Sequence, residues 1–299
     1  MRNTTLLHEL IQASAERAGE RIALSSGKLG LSYAALAAQC DGFAAGLMAL
    51  GLARAERVAV YLDKRPEFVA ACFGTAAAGG AFVPVNPLLK PDQVGYILRD
   101  CNVRVLVTSI ERLALLQPVL ASCHDLRQVV VVGEPKELPV MEGVSLHRWS
   151  ELDDVPPHAG HRVIDTDIAA ILYTSGSTGK PKGVVLSHRN MVVGAHSVAR
   201  YLGNHADDTL LAALPLSFDA GFSQLTTAFH AGARVVLLNY LLPRDVLNAV
   251  VREQVTGLTA VPPLWIQLAQ LDWPASVTGH LRYIANTGGR MPRETLSAL

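Results

Sequence analysis

Residues 173–183 read YTSGSTGKPKG, a composition suited to a backbone that wraps an anion. Gly176, Gly179 and Gly183 can adopt positive φ and let a ligand approach the main chain, while Thr174, Ser175, Ser177 and Thr178 supply hydroxyl donors. Lys180 and Lys182 flank Pro181, which stiffens the return of the loop and leaves two ammonium groups beside whatever the amides enclose. The ligand that suits these groups is phosphate. The loop of nucleotide hydrolases, G-x-x-x-x-G-K-[ST], does not fit, because Thr174 stands where its first glycine would be and Pro181 follows Lys180. A Gly/Ser surface linker shares the composition, but the flanks oppose it. Residues 168–173 (IAAILY) form an apolar run of strand length, residues 184–186 (VVL) are apolar again, and Ser187 is placed as the N-cap of a helix running to Gly203.

Outward from this loop the chain alternates helix and strand. Ser32 caps a helix on which Leu36, Cys40, Phe43, Leu47 and Leu50 recur at spacings of three and four, with Gly51 ending it. Strands are expected at 58–62, 81–85, 103–108 and 129–132, with helices from Pro66, from Pro91 to about Cys101, and over 110–120. In the second half, strands are expected at 210–214, 234–238, 257–261 and 281–285, with helices at 220–230, 243–253 and 264–271. Short apolar strands alternating with helices imply an α/β fold of layered, parallel-rich sheets with helices on both faces. The polar stretch 134–161 has no clear period and marks the expected boundary between a first α/β subdomain, 1–165, and a second, 166–299, which carries the loop. In open α/β sheets ligands gather beyond the carboxyl ends of strands. Three segments leave such ends: the loop itself, PLSFD at 215–219 and TGGRMP at 287–292.

At 299 residues, half of them hydrophobic, the chain can bury a large core. Its 26 basic and 26 acidic residues balance, with no run of like charge, which argues against a nucleic-acid partner. The opening residues lack a long apolar core and turn charged at Glu9, and the four cysteines have no C-x-x-C spacing, so a cytoplasmic protein with buried thiols is expected. Residues 68–89 are uncharged and nominally long enough to span a membrane. Gly79, Gly80, Pro84 and Pro87 interrupt them, so a helix, a turn and a strand are expected and no membrane insertion.

The loop resembles the signature of the adenylate-forming superfamily, which includes acyl-CoA synthetases, amino-acid adenylation domains and luciferases. Other segments fall in the family's order: LSYAAL at 31–36, AAGGAFVPVNP at 77–87, PLSFD at 215–219 and TGGRMP at 287–292. The resemblance covers nearly the whole chain. It implies an AMP-forming ligase that activates a carboxylic acid with ATP and Mg2+, with CoA as the acyl acceptor. It assigns Thr174, Ser175, Gly176, Ser177, Thr178, Gly179, Lys180 and Lys182 to the phosphates, with Thr178 and Lys180 as the catalytic pair. Gly288, Gly289 and Arg290 fall on the adenosine side, and Phe218, Asp219 and Phe222 on the pocket for the acid. Arg290 departs from the small or acidic residue that many relatives have. The family's later motifs, including the lysine of its small C-terminal lid domain, have no counterpart here. The resemblance therefore implies an N-terminal portion, lid domain absent, that is inactive alone or serves as a silent nucleotide- or acyl-binding fragment.

Two readings stand for Asp219. In amino-acid adenylation domains an Asp in a matching Phe-Asp pair holds the substrate ammonium; alternatively Asp219 caps a helix beginning at Ala220. Several further residues are expected to be structural. His188 is read as a capping or packing residue, His158 and His161 as solvated, Trp265 and Trp273 as packing one helix face, and the pairs Asp207–Asp208 and Asp153–Asp154 as exposed.

Overall fold

The computed structural model describes residues 4–153, 155–156, 160–174 and 180–299. Ser175, Gly176, Ser177, Thr178 and Gly179 lie outside them, as do Asp154 and His158. Among the described residues the strands form two sheets. The first has seven strands in the order β7 (Ser145–Arg148), β6 (Gln128–Val132), β5 (Val103–Ser109), β3 (Arg57–Tyr61), β4 (Ala81–Pro84), β8 (Ile168–Thr174) and β9 (Lys182–Ser187). The second has six: β13 (Tyr283–Asn286), β12 (Gly257–Ala260), β10 (Thr209–Ala212), β11 (Arg234–Leu237), β1 (Ile22–Ser26) and β2 (Leu29–Ser32). Pairing is parallel except in the hairpins β1–β2 and β8–β9.

Side-chain alternation along the strands builds the layers. Val58 and Val60 of β3 point into one core and Ala59 and Tyr61 into another. The central core lies between the sheets and is filled by α2 (Tyr33–Ala49), α3 (Pro66–Ala78) and α8 (Asp219–Ala231), with α1 (Glu9–Ala18) beside them. On the outer face of the first sheet sit α4 (Pro91–Asp100) and α5 (Ile110–Leu120). On the outer face of the second sit α9 (Pro243–Arg252) and α10 (Pro262–Leu268). The remaining helices are α6 (Trp149–Asp153), α7 (His188–Leu202) and α11 (Arg293–Ala298). Both sheets are parallel-rich with helices on both faces, as the alternation implied.

Local signals act where the sequence put them. Ser32 and Ser187 accept from Ala35 N and Asn190 N as N-caps. Gly79 ends α3 at φ 85°, which breaks the uncharged stretch into helix and strand; among the described residues no helix is long and apolar enough to cross a membrane. All four cysteines are buried and free.

Three expectations change. Residues 134–161 contain β7 and α6, and β7 extends the first sheet by parallel pairing with β6. His161 is half-buried, with Nε2 2.9 Å from the Leu52 carbonyl, packed where Gly79 leaves room. Asp208, expected on the surface, is 1% exposed. It accepts from Arg282 at 2.6 and 2.9 Å, from Thr256 Oγ1 at 2.7 Å and from Asn204 Nδ2 at 3.1 Å. Although burial alone would raise its carboxyl pKa, these donors, Arg282 foremost, hold it down at about 2. Asp207 keeps to the surface against Arg21.

Candidate active site

The strand ends that flank residues 175–179 form a hairpin end pinned to α4. Thr174 pairs with Lys182 across β8 and β9, Tyr173 donates to Asp100 Oδ2 at 2.5 Å, and Tyr96 donates to the Pro181 carbonyl at 3.3 Å. Burial and the bond to Asp100 both raise the Tyr173 phenol, so it stays a donor. A Cβ on Gly183 would come within 2.7 Å of Ile171 Cγ2, and glycine lets the two strands close there. Thr174, Lys180 and Lys182 are exposed. Among the described residues no carboxylate pairs with either lysine, so both ammonium groups remain available to an anion. Strand β8 runs parallel to β4, with Ala170 beside Phe82, so the loop leaves the sheet at the same edge as residues 85–88.

The PLSFD segment turns from β10 into α8. Phe222 N bonds the Phe218 carbonyl at 2.8 Å, which makes Phe218 the N-cap, without a side-chain bond. Asp219 is therefore the first helical residue rather than the cap, in the turn where the helix dipole favours a carboxylate. It carries no hydrogen bond or ion pair among the described residues. Phe222 is 1% exposed and faces the central core, stacked 4.9 Å from Phe82 and 5.8 Å from Phe73. Phe218 is 38% exposed.

The TGGRMP segment follows β13 and rests on the start of α10. Thr287 N bonds the Ala260 carbonyl at 3.1 Å, and Asn286 Nδ2 donates to the Gly289 carbonyl at 2.6 Å. Gly288 has φ 72°, a conformation that favours glycine. Side chains on Gly288 and Gly289 would crowd Val261 and Pro262 at 3.3 Å. Arg290 is exposed.

Two of the three motif segments share one pocket. A cavity of about 230 Å³ runs between the second sheet and helices α7 and α8, with Asp219 on one wall and Asn286 and Thr287 on another. Phe218, Phe222 and residues 288–290 do not line it. Sequence reasoning missed Ser223, Gln224, Thr227 and Thr259, which do. Ser223, Gln224 and Thr227 are polar residues at spacings of three and four on α8, but which face of that helix meets the pocket is decided by its packing, and Thr259 comes from β12. The floor residue Tyr283 is held by Asn204 Nδ2 at 3.0 Å, which joins the pocket to the Asp208 network.

A second cleft of about 380 Å³ opens where the carboxyl ends of both sheets meet, between Val85–Leu88 on one side and Pro215–Ser217 and Leu238–Leu241 on the other. Lys64 lies in its wall and donates to the carbonyls of Ala212, Ala213 and Leu238, each at 2.8 Å. Nothing in the residue pattern marks this clamp, because its acceptors are backbone atoms at the ends of distant strands.

His188 is buried, with Nδ1 accepting from Leu7 N at 3.0 Å. Burial lowers its pKa to about 4. Trp265 and Trp273 each donate Nε1–H to a carbonyl, of Ala260 and Leu268, and pack in the outer core of the second sheet.

Comparison with known proteins places this geometry. The crotonobetaine/carnitine–CoA ligase of Salmonella paratyphi A is 31% identical over 259 residues, covering 85% of this chain and 49% of that protein. Bacitracin synthase 3 of Bacillus licheniformis is 27% identical over 289 residues, covering 96% of this chain and 4% of that protein. The chain thus spans about half the length of the ligase. Among solved structures, the anthranilate CoA ligase AuaEII in complex with anthranoyl-AMP superposes with a TM-score of 0.88 at 24% identity, over 98% of this chain and 57% of that one. VinN in complex with 3-methylaspartate superposes with a TM-score of 0.79 at 25% identity, over 98% and 74%. The sequence model of the family described as AMP-binding enzyme matches residues 11–299, and the chain belongs to that family.

Proposed function

We propose that this chain serves the ATP-dependent activation of a carboxylic acid. The acid's carboxylate oxygen attacks the α-phosphorus of ATP, the bond to the β-phosphate breaks, and acyl-adenylate and pyrophosphate result; a thiol, CoA in this reading, then takes the acyl group. The observation that carries the proposal is the pocket in which Asp219 of PLSFD faces Asn286 and Thr287 at the start of TGGRMP. An acid held there would present its carboxylate toward the loops at the strand ends.

In this reading Thr174, Lys180 and Lys182, with residues 175–179 between them, take the polyphosphate. Negative charge moves onto the departing pyrophosphate, so fixed donors and lysines stabilise the transition state more than the bound substrate. Thr178 and Lys180 are the catalytic pair, and residues 288–290 line the adenosine. Among the described residues no group of three or more His, Cys, Asp or Glu side chains gathers to hold a metal ion; magnesium would enter on the phosphates themselves. A second reading, activation of an amino acid, is favoured by the position of Asp219, whose carboxylate stands unpaired at the pocket wall among the described residues.

Pyrophosphate exchange with a panel of acids, run on the 299-residue chain and on any longer product of its reading frame, tests this. The longer product exchanges label and the 299-residue chain stays near background. In the longer product Lys180→Ala lowers turnover by about 10²-fold or more, the scale of losing one transition-state donor, with a smaller change in ATP affinity. Unchanged turnover would remove Lys180 from the catalytic pair. Absence of exchange with every acid would sink the proposal, and a stop codon after Leu299 would favour a silent binding role.

A further inference from the structure

The pocket walls carry more hydrogen-bonding capacity than the protein itself uses. Gln224 is 7% exposed and Thr227 2% exposed, and both side chains line the cavity from one face of α8. Gln224 donates Nε2–H to the Gly221 carbonyl at 3.0 Å, which fixes the amide, yet among the described residues neither its Oε1 nor Thr227 Oγ1 has a partner. Nearly all buried polar groups in folded proteins are paired, so two orphans three residues apart beside one cavity offer a ligand two groups to pair with. The rest of the lining has the same sign. Asp219 adds a carboxylate, Ser223 and Thr259 add hydroxyls, and among the described residues no Lys, Arg or His side chain lines the cavity. Acceptors therefore outnumber donors. The volume, about 230 Å³, lies below the roughly 300–1,000 Å³ of sites for drug-sized ligands.

We propose, resting on the acid-activating reading of this pocket, that Gln224 and Thr227 are specificity-determining residues that select a compact acid bearing an O–H or N–H donor on its chain, over an alkyl acid of the same shape. An unbranched fatty chain would leave both orphans unpaired. A hydroxyl or amide on the ligand would satisfy Gln224 Oε1 and exchange a hydrogen bond with Thr227 Oγ1.

Dissociation constants measured by NMR titration of the 299-residue chain, with ATP titrated separately, test this. Two isosteric pairs are compared: 3-hydroxybutanoate with 3-methylbutanoate, and threonine with valine. The second pair keeps the ammonium constant and so isolates the hydroxyl from any effect of Asp219. The donor-bearing member binds about tenfold or more tightly in at least one pair, because a site with unpaired polar groups rejects the analogue that cannot pair them. Thr227→Val and Gln224→Met each reduce that ratio toward unity, and Thr227→Ser, which keeps the hydroxyl, retains it. Equal or tighter binding of the alkyl member in both pairs overturns the proposal, as does a ratio unmoved by both substitutions. If the chain binds ATP but prefers alkyl acids, the selectivity alone falls. If it binds neither ATP nor any acid of either pair, the activation reading falls with it.

Discussion

Lys64 shows how one side chain can join two sheets and carry a pH dependence. It follows β3 of the first sheet, and its three acceptors are carbonyls at the carboxyl ends of β10 and β11 in the second. An ammonium has three N–H donors and satisfies all three carbonyls, whereas a neutral amine has two. Burial opposes this, lowering the folded pKa from 10.5 to about 7. The sign follows from linkage. Between about pH 7 and 10.5 the unfolded chain holds a proton that the folded chain sheds, so this group's contribution to stability rises with pH across that window; below it, the full desolvation cost is present. Urea denaturation of the wild type and Lys64→Met at pH 6, 8 and 9.5 should show this component of the rise in the wild type and its loss in the variant. Relative to the wild type, the variant should fare best at pH 6, where the wild type bears the full desolvation cost, and lose ground toward pH 9.5. Parallel pH profiles would show that Lys64 does not titrate in this range.

At the scale of elements, α8 is where sequence legibility and its limits meet. Its span was readable from period and from Gly232, which ends it in the left-handed region. The same holds for the helices behind Ser32, Pro66 and Pro91, where local capping chemistry and burial agree. Polar stretches and short strands were less legible: β1 and β2 are short, β7 sits in a sequence without alternation, and the pairing of β1 depends on β11, where Val235 lies opposite Leu24. Asp208 was misjudged because its main partner, Arg282, is far from it in sequence and sits just before β13. Of the site, the motif loops could be read, whereas Gln224 and Thr227 could be placed on the pocket only once α8 was docked on β10 and β11, opposite the cavity wall that β12 and β13 supply. The docking of α8 begins at Gly221, where a Cβ would lie 1.8 Å from the Pro215 carbonyl oxygen. That contact is with backbone, so no rotamer change can relieve it. Gly221→Ala should displace the first turn and destabilise the fold by at least about 2 kcal/mol, within the range for overpacking, and weaken acid binding by moving Asp219. Thermal unfolding and acid titration of the variant check this, and a wild-type melting temperature would show that the turn is free to move.

At the scale of the whole molecule, the chain crosses between the sheets in both directions. Strands β1 and β2, near the start, belong to the second sheet, where β1 pairs with β11. The hairpin β8–β9 lies beyond the boundary expected at residue 165, yet β8 pairs with β4 of the first sheet. The central core is also shared: Leu24, Phe82, Phe222 and Val235 belong to one buried cluster. Each fully buried side chain of this size contributes roughly 1.5–3 kcal/mol, and those facing the opposite sheet are lost together if the halves part. Segments 1–165 and 166–299 expressed separately should therefore remain unfolded or aggregate, because each would expose an unpaired strand edge and half of a core. The intact chain should unfold in a single transition, with calorimetric and van't Hoff enthalpies equal. Two resolved transitions, or a native-like amide spectrum for either piece alone, would show that the halves are autonomous and that the shared core contributes less than its burial implies.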